Sequence, residues 1–435
     1  MAEGAPFRRA LVDLEEGRAN WLREVSRLPA EEVGVCDAAG RVLAEDVRGV
    51  RALPAFDRSA VDGYALRAID SQGAHPSDPV VLPLGGEVAA GEAPKALRPG
   101  ETVRVNTGSA MPQGADAVAM VEWVTLTESA GRTAVVLRQS VPPGTHVRVL
   151  GEDARAGAVL LTRGTVVAPD VLPLLIAASA GRRVLVYRMP RVVVIPTGSE
   201  LTPPDEPPSP FGVPDVVSEG LARRIAGSAP GEGIRAEVSW LDPVPDTLGQ
   251  VEKALSGALG QADLVCSVGG AALGTRDHTR RAIEGLGGRI IFHGLALRPG
   301  TPTLGANVNG HPVLGLPGNP VAALTAWDLL GWHALAALTG REGPALYTAL
   351  LAHAMTKRST REDRYLRAAL WIGPDGRFLA AVDRTQNAGM LGPLARTNGF
   401  VCHPRHTSTL EAGAPVRACL TGALGHTPPE WFDPT

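Results

Sequence analysis

Pro317-Gly318-Asn319-Pro320 separates two apolar runs, Val313-Leu314-Gly315-Leu316 and Val321-Ala322-Ala323-Leu324. These residue types predict a strand ending in a glycine turn and a helix beginning near Pro320, where proline's missing N–H costs nothing. Such a junction aims free backbone N–H groups and the positive end of a helix dipole at one spot, which suits a phosphate or another oxyanion. The pattern recurs twice upstream: Val192-Val193-Val194-Ile195 runs into Pro196-Thr197-Gly198-Ser199-Glu200, and Leu264-Val265-Cys266-Ser267-Val268 into Gly269-Gly270-Ala271-Ala272. Short continuous β-branched runs followed by glycine turns read as buried parallel strands of βα units. Ligands of open α/β sheets collect at the carboxyl ends of the strands, so the three loops are expected to face one ligand. An ordinary βα connection explains any one of them; together they point to a shared anion site. Glu200 and Asp277 each follow one of these corners. Carboxylates beside an anion are unfavourable unless a divalent cation or a protonated group lies between, which hints at Mg²⁺ with a phosphorylated ligand.

A second concentration of polar groups lies upstream. Phe56 to Ala65 packs Asp57, Arg58, Ser59, Asp62 and Tyr64 into ten positions. Asp62-Gly63 alone would be a tight turn; its polar neighbours favour a functional role. Thr107-Gly108 closes the run Arg104-Val105-Asn106, placing a hydroxyl and a backbone amide where they can hold a phosphate or simply close a side-chain turn. Gly151-Glu152-Asp153 is an acidic turn that reads equally well as solvated surface charge.

The chain that positions these groups has 435 residues, enough for roughly two to four domains. A net charge of −3, with no basic block, argues against a nucleic-acid partner and for a small-molecule one. Cys36, Cys266, Cys402 and Cys419 are scattered without metal-ligand spacing, so neither a disulfide framework nor a zinc site is indicated, and a reduced cytoplasm fits. The longest uncharged apolar stretch, near 171–180, is too short for a membrane span, and no membrane partner is expected. Lys95, Lys253 and Lys357 are the only lysines among 42 basic residues, a bias toward arginine that matters below.

Apolar spacing at Leu11, Leu14, Trp21, Leu22 and Val25 predicts an opening helix between 7 and about 28. Short alternating runs between about 48 and 149 read as β, and 191 to about 340 alternates strands with helices. Thr202 to Pro214, with six prolines, is a loop inserted after the first α/β strand, and β-like runs return after 341.

Phe56-Asp57-Arg58-Ser59-Ala60-Val61-Asp62-Gly63-Tyr64-Ala65-Leu66 resembles the F-D-x-S-A-M-D-G-Y-A-V motif of the MoeA/gephyrin family of molybdopterin molybdenumtransferases. Thr107-Gly108 with Pro112 to Val118, Gly151-Glu152-Asp153, Thr197 to Leu201, Gly269-Gly270 through Thr279, Arg298-Pro299-Gly300 and Leu316 to Val321 resemble further motifs of that family, in its order and over nearly the whole chain. The resemblance implies a multidomain α/β plus β fold: a helix at 1–25 packing on a central three-layer α/β domain (MoaB/MogA-like) at 182–340, a linking domain from 26–47 and 151–181, a β-rich domain at 48–150, and a C-terminal β-barrel-like domain at 341–435. It implies a homodimer whose cleft is shared between subunits, so that Asp62 and Thr107 act in trans. The implied reaction inserts molybdate into adenylylated molybdopterin and releases AMP with help from Mg²⁺. By position, Asp62, Thr107, Asp153, Glu200 and Asp277 match residues important for activity, with Glu200 and Asp277 assigned to the metal. Thr197, Gly198, Ser199, Gly269, Gly270, Arg298, Pro299, Gly300, Pro317, Gly318, Asn319 and Arg361 would bind the phosphates, pterin and oxyanion.

Departures from the family pattern gather in the same cleft. Two expected lysines fall on Gly294 and Thr301, and a third is Arg298; an arginine fork does not simply replace a compact ammonium. The serine of G-G-V-S is Ala272, the D-S/T-N segment has become Val216-Val217-Ser218, and the serine-bearing G-S-G pattern is lost at Gln386-Asn387-Ala388-Gly389. Each lost charge-assisted hydrogen bond costs roughly 1.5–3 kcal/mol of binding. A weakened paralogue that carries molybdopterin without turnover is therefore the alternative to a working transferase.

Overall fold

The computed structural model describes residues 11–179, 181, 183–227, 234–270, 278–357 and 361–432. At its centre lie six strands, β1 (Arg191–Pro196), β2 (Glu237–Trp240), β3 (Leu264–Val268), β4 (Arg289–His293), β5 (Leu304–Val308) and β6 (His311–Leu316), in the spatial order β2-β1-β3-β6-β5-β4. β2, β1, β3 and β6 are parallel neighbours, while β5 pairs antiparallel with both β6 and β4. The continuous apolar runs of β1, β3 and β6 follow from burial on both faces. Val192, Val194, Cys266, Leu314 and Leu316 pack on one layer, formed by helices Leu14–Leu22, Ser218–Ala226 and the long helix from Pro320 to Leu338. Val193, Ile195, Val265 and Val313 pack on the other, formed by Leu248–Leu259 and His278–Gly285. The central domain is thus a three-layer α/β sandwich.

The opening helix is shorter than its apolar spacing predicts. Asp13 accepts from the N–H groups of Glu15 and Glu16, so helical hydrogen bonding starts at Leu14, and Leu11 lies outside and exposed. Leu14 and Trp21 are buried against the sandwich, and Trp21 Nε1 donates to Ala306 O at 3.0 Å.

Around this centre lie three further bodies. Ala30–Val33 pairs with Val184–Tyr187, Val47–Arg48 with Val159–Leu161, and helix Leu172–Ser179 shares a small core with Val35, Leu43 and Val186. Six strands between Gly63 and Leu137 form the β-rich sheet around Leu66, Leu82 and Val135. In the C-terminal region, Asp363–Ile372, Phe378–Val382, Tyr347–Leu351, Pro415–Leu420 and Gly399–His403 close into a five-stranded barrel, because Asp363–Ile372 pairs with both Phe378–Val382 and Gly399–His403. The proline loop is clipped at its base by parallel pairing of Leu201–Thr202 with Val213–Pro214.

The helix from Pro320 to Leu338 is long and apolar enough to cross a bilayer, yet 83% of its most apolar window is buried inside the protein. A π-helical turn at Trp327–Gly331 interrupts it and carries Asp328, which accepts from Arg224 Nη2 at 2.9 Å and Trp332 Nε1 at 3.2 Å. A Cβ at Gly331 would stand 2.2 Å from the Trp327 ring, which is fully buried. Gly331→Ala is therefore expected to destabilise the fold by about 1–3 kcal/mol through overpacking, measured as a lower urea midpoint with unchanged slope.

Candidate functional site

Parallel register sets the site. Pro196 pairs with Val268 and Val268 with Leu316, so β1, β3 and β6 end at one level. Thr197 N–H donates to Val268 O at 2.8 Å and Gly269 N–H to Leu316 O at 3.0 Å, fastening each departing loop to the neighbouring strand end. A Cβ at Gly318 would lie 3.7 Å from Gly269 Cα, and one at Gly270 would lie 3.0 Å from Thr197 Oγ1. The structure therefore brings the three predicted corners together along one edge. Gly269 and Gly270 adopt φ of +88° and +63°, and a Cβ at 269 would stand 2.4 Å from Thr197 O, so both backbone conformation and space demand glycine there.

Not every amide of the corners is open to a ligand. Thr197, Gly198 and Gly269 already donate to the carbonyls of Val268, Val244 and Leu316. Among the described residues, the N–H groups of Ser199, Gly318 and Asn319 have no protein acceptor, and Asn319 is the N-cap of the long helix with Pro320 following. Glu200 is exposed and folds its carboxylate over Gly198: a Cβ at 198 would meet its Oε1 at 2.9 Å. Ser199 Oγ accepts from Asp246 N–H at 3.0 Å, and the Oδ1 of Asp246 is buried without a hydrogen-bond partner. Asp277 and Ala272 lie outside the described residues.

A cavity of about 470 Å³ adjoins the third corner, between the sandwich and the barrel. Arg298, Pro299, Gly300, Thr301 and Pro302 line one side, Pro317, Asn319 and Ala322 another, and the barrel contributes Arg364, Tyr365, Leu366, Gln386 and Ala388. Leu297–Arg298 pairs in parallel with Asp363 and Arg364, which places Arg298 and Arg364 at partnered positions. Glu362 Oε1 lies 3.9 Å from each of these guanidinium groups, so one carboxylate faces two cations and the wall stays positive. Arg361 is exposed and does not line the cavity, whereas Arg364, three residues on, does.

The polar groups of the β-rich domain assemble separately. Asp62 Oδ1 accepts from Thr107 N–H at 2.6 Å and from Thr107 Oγ1 at 3.0 Å. The Thr107 amide, then its hydroxyl, holds the Asp62 carboxyl below the usual aspartate range, against a smaller opposing effect of desolvation and with help from Arg104. Asp57 Oδ1 accepts from Leu150 N–H at 2.6 Å, and Arg148 bonds Glu152 at 2.8 Å and Asp153 at 2.6 Å. Hydrogen bonding to Glu152 and attraction to Asp153 raise the Arg148 guanidinium further. The three upstream motifs thus meet at one end of this domain, and the bonds of Asp62 and Thr107 all stay within 48–150.

Three family models match in chain order: the MoeA N-terminal region (domain I and II) over 12–180, the probable molybdopterin binding domain over 193–337, and the MoeA C-terminal region (domain IV) over 348–420. A molybdopterin molybdenumtransferase of Bacillus subtilis is 32% identical over 396 residues, covering 90% of this chain and 89% of that protein. Molybdopterin molybdenumtransferase 2 of Mycobacterium tuberculosis is 34% identical over 419 residues, covering 91% and 98%. The chain belongs to the MoeA family. The crystal structure of the molybdopterin biosynthesis moea protein from Pyrococcus horikosii superposes with a TM-score of 0.78 at 31% identity, over 95% of this chain and all of that one.

The geometry explains several departures from the MoeA pattern. Gly294 has φ +97°, its N–H donates to Thr303 O and its carbonyl accepts from Val12 N–H, so this backbone is pinned in a conformation that favours glycine. Thr301 lines the cavity and its Oγ1 donates to Leu297 O at 2.7 Å, closing the Leu297–Thr301 turn in place of offering a cation. Asp215, left from the altered D-S/T-N segment, accepts from Val217 and Ser218 N–H and starts the helix Ser218–Ala226. Sequence reasoning chose Arg361 from a run that also holds Arg364, named the Gln386 segment without giving Gln386 a role, and missed Asp246. The close arginines at 361 and 364 were a signal for the first; the other two depend on long-range packing.

Because the folded-state pKa of Asp62 is depressed, its charge and the clamp on Thr107 persist above the ordinary aspartate range and are lost only as pH falls through the lowered value. Thr107→Val removes the hydroxyl donor and keeps the amide. The Asp62 titration, followed by carboxyl NMR shifts, should rise toward the ordinary value yet remain below it.

Proposed function

We propose that this chain is a working molybdopterin molybdenumtransferase of molybdenum cofactor biosynthesis, which inserts molybdate into adenylylated molybdopterin and releases AMP. The observation that carries the reading is the joining of three glycine corners on level strand ends to a cavity with paired arginines. The open amides of Ser199, Gly318 and Asn319 suit phosphate oxygens of the nucleotide-bearing substrate. Arg298 and Arg364, with five of the thirteen lining residues contributed by the barrel, suit a tetrahedral oxyanion held beside the pterin dithiolene. Bringing two anions together is the chief electrostatic difficulty of the reaction, and fixed guanidinium and amide donors offset it without reorganising.

A divalent ion fits this reading. Magnesium takes one or two carboxylates together with substrate phosphates and water, not a dedicated cage. Glu200, and Asp246 Oδ1, which has no partner among the described residues and whose N–H bonds the neighbouring Ser199, are hard oxygen donors of that kind, with Asp277 the further residue assigned by position. Bound there, Mg²⁺ would neutralise phosphate charge. Thr197 stays a wall of the phosphate edge through its bond to Val268.

The reading has a homodimer in which Asp62 and Thr107 of one subunit reach the cleft of the other, with the Arg148–Asp153 pair at the same end of the domain. In support, Asp62 and Thr107 are exposed and bond only to their own domain. Four free cysteines suit a cytoplasmic enzyme.

Purified protein supplied with adenylylated molybdopterin, Mg²⁺ and molybdate is expected to yield metallated cofactor and stoichiometric AMP; no AMP at saturating ligand overturns the proposal. Thr301→Lys, at a position already lining the cavity, should tighten molybdate binding by about tenfold, the value of one charge-assisted bond. Gly294→Lys should not, because φ +97° strains any L side chain, and its folded yield should fall. Equal gains from both would contradict this account.

A further inference from the structure

Arg367 is 4% exposed, lies outside the cavity lining, and turns its guanidinium onto a single loop. Its Nη2 donates to Thr385 O at 2.7 Å and Asn387 O at 3.1 Å, and its Nη1 to Met390 O at 3.4 Å. All three acceptors belong to one loop. Gln386 locks the arrangement from its side: its Oε1 accepts from Arg367 N–H at 3.0 Å and its Nε2 donates to Arg367 O at 3.0 Å.

A trans peptide points its N–H opposite to the carbonyl of the same unit. With the carbonyls of Thr385 and Asn387 turned toward Arg367, the N–H groups of Gln386 and Ala388 must point away from it. Gln386 and Ala388 are the two loop residues that line the cavity, and among the described residues neither amide has a protein acceptor. The loop is held against the third corner by Val321 N–H donating to Ala388 O at 3.3 Å. The guanidinium behind the two peptide units polarises them, which strengthens their N–H groups as donors.

We propose that Arg367 is a positioning residue that turns the Gln386 and Ala388 amides into the cavity, where they bind the oxyanion alongside Arg298 and Arg364. This rests on the reading of that cavity as an oxyanion site. It assigns to the main chain the donors that Gly294, Thr301 and the hydroxyl-free Ala388 do not supply.

The test uses the full chain. Arg367→Met is expected to weaken equilibrium binding of molybdate by about tenfold to a hundredfold, the worth of about one charge-assisted hydrogen bond as the two main-chain donors lose their alignment, and to raise the KM for molybdate while leaving the KM for adenylylated molybdopterin within about twofold. Arg367→Lys keeps the charge but replaces the planar, forked guanidinium with a compact ammonium on a shorter reach, and should fall between. If Arg367→Met does not fold, wild-type protein labelled with [¹⁵N]glutamine gives the answer: the Gln386 amide, assigned by its loss in Gln386→Glu, should shift on titration with molybdate. An unmoved Gln386 amide, or a folded Arg367→Met with unchanged molybdate affinity, overturns the inference. AMP release by the wild type in the same preparation separates the two failures, since an active enzyme indifferent to Arg367 refutes this inference alone.

Discussion

The level ending of β1, β3 and β6 is the constraint on which the rest depends. Parallel pairing in register makes the chain leave the sheet three times at one height, and each departure must bond to the neighbouring strand end while leaving room for two other loops. Glycine at 269 and 270 is the consequence, since any Cβ there would meet Thr197. What holds the strands level is apolar: alternate residues of each strand are buried in opposite layers, so a slip of one residue would turn both sets to the wrong side. The polar recess is a by-product of hydrophobic register.

A second, smaller pairing builds the other half of the recess. Leu297–Arg298 and Asp363–Arg364 contribute two residues each, yet they dock the barrel on the sandwich and bring two arginines side by side. Like charges in partnered positions repel, and one carboxylate at 3.9 Å from each offsets only one of the two charges. An arrangement that disfavours itself when empty gains from an anion, which is the electrostatic argument for proposing an oxyanion here.

Much of this was legible in the sequence because it is local. The apolar runs, the glycine corners that follow them and the Pro320 helix start are each written in consecutive residues, and β1, β3, β6 and the long helix lie where those runs predict. The pairing of Asp62 with Thr107 was anticipated only as membership of one site, because nothing in either motif specifies a 2.6 Å bond between them. Two-residue strands such as Leu297–Arg298 carry no periodicity, so the pairing that joins sandwich to barrel, and with it the choice of Arg364 over Arg361, had no local signature. The helix start failed for a different reason: Leu11 extends the apolar spacing, but the Asp13 cap decides where hydrogen bonding begins. Asp277 falls outside the described residues, so its place relative to Glu200 is an expectation from motif position alone.

The scarcity of lysine in this chain has a structural counterpart in the recess. A lysine ammonium is a compact charge on a flexible stem, whereas the planar fork of arginine loses less side-chain entropy for each hydrogen bond it forms. The groups that line this cavity are of another kind: arginines whose backbones are held on paired strands, and peptide units held from behind by a buried guanidinium. Donors fixed before the ligand arrives lose little on binding, but they cannot follow an ion that sits elsewhere. A site built this way trades adaptability for preorganisation, and its affinity depends on the docking of the barrel to within the tolerance of a hydrogen bond. Substitutions that loosen that seam, far from any ligand atom, are therefore as consequential for the oxyanion as those that remove a donor.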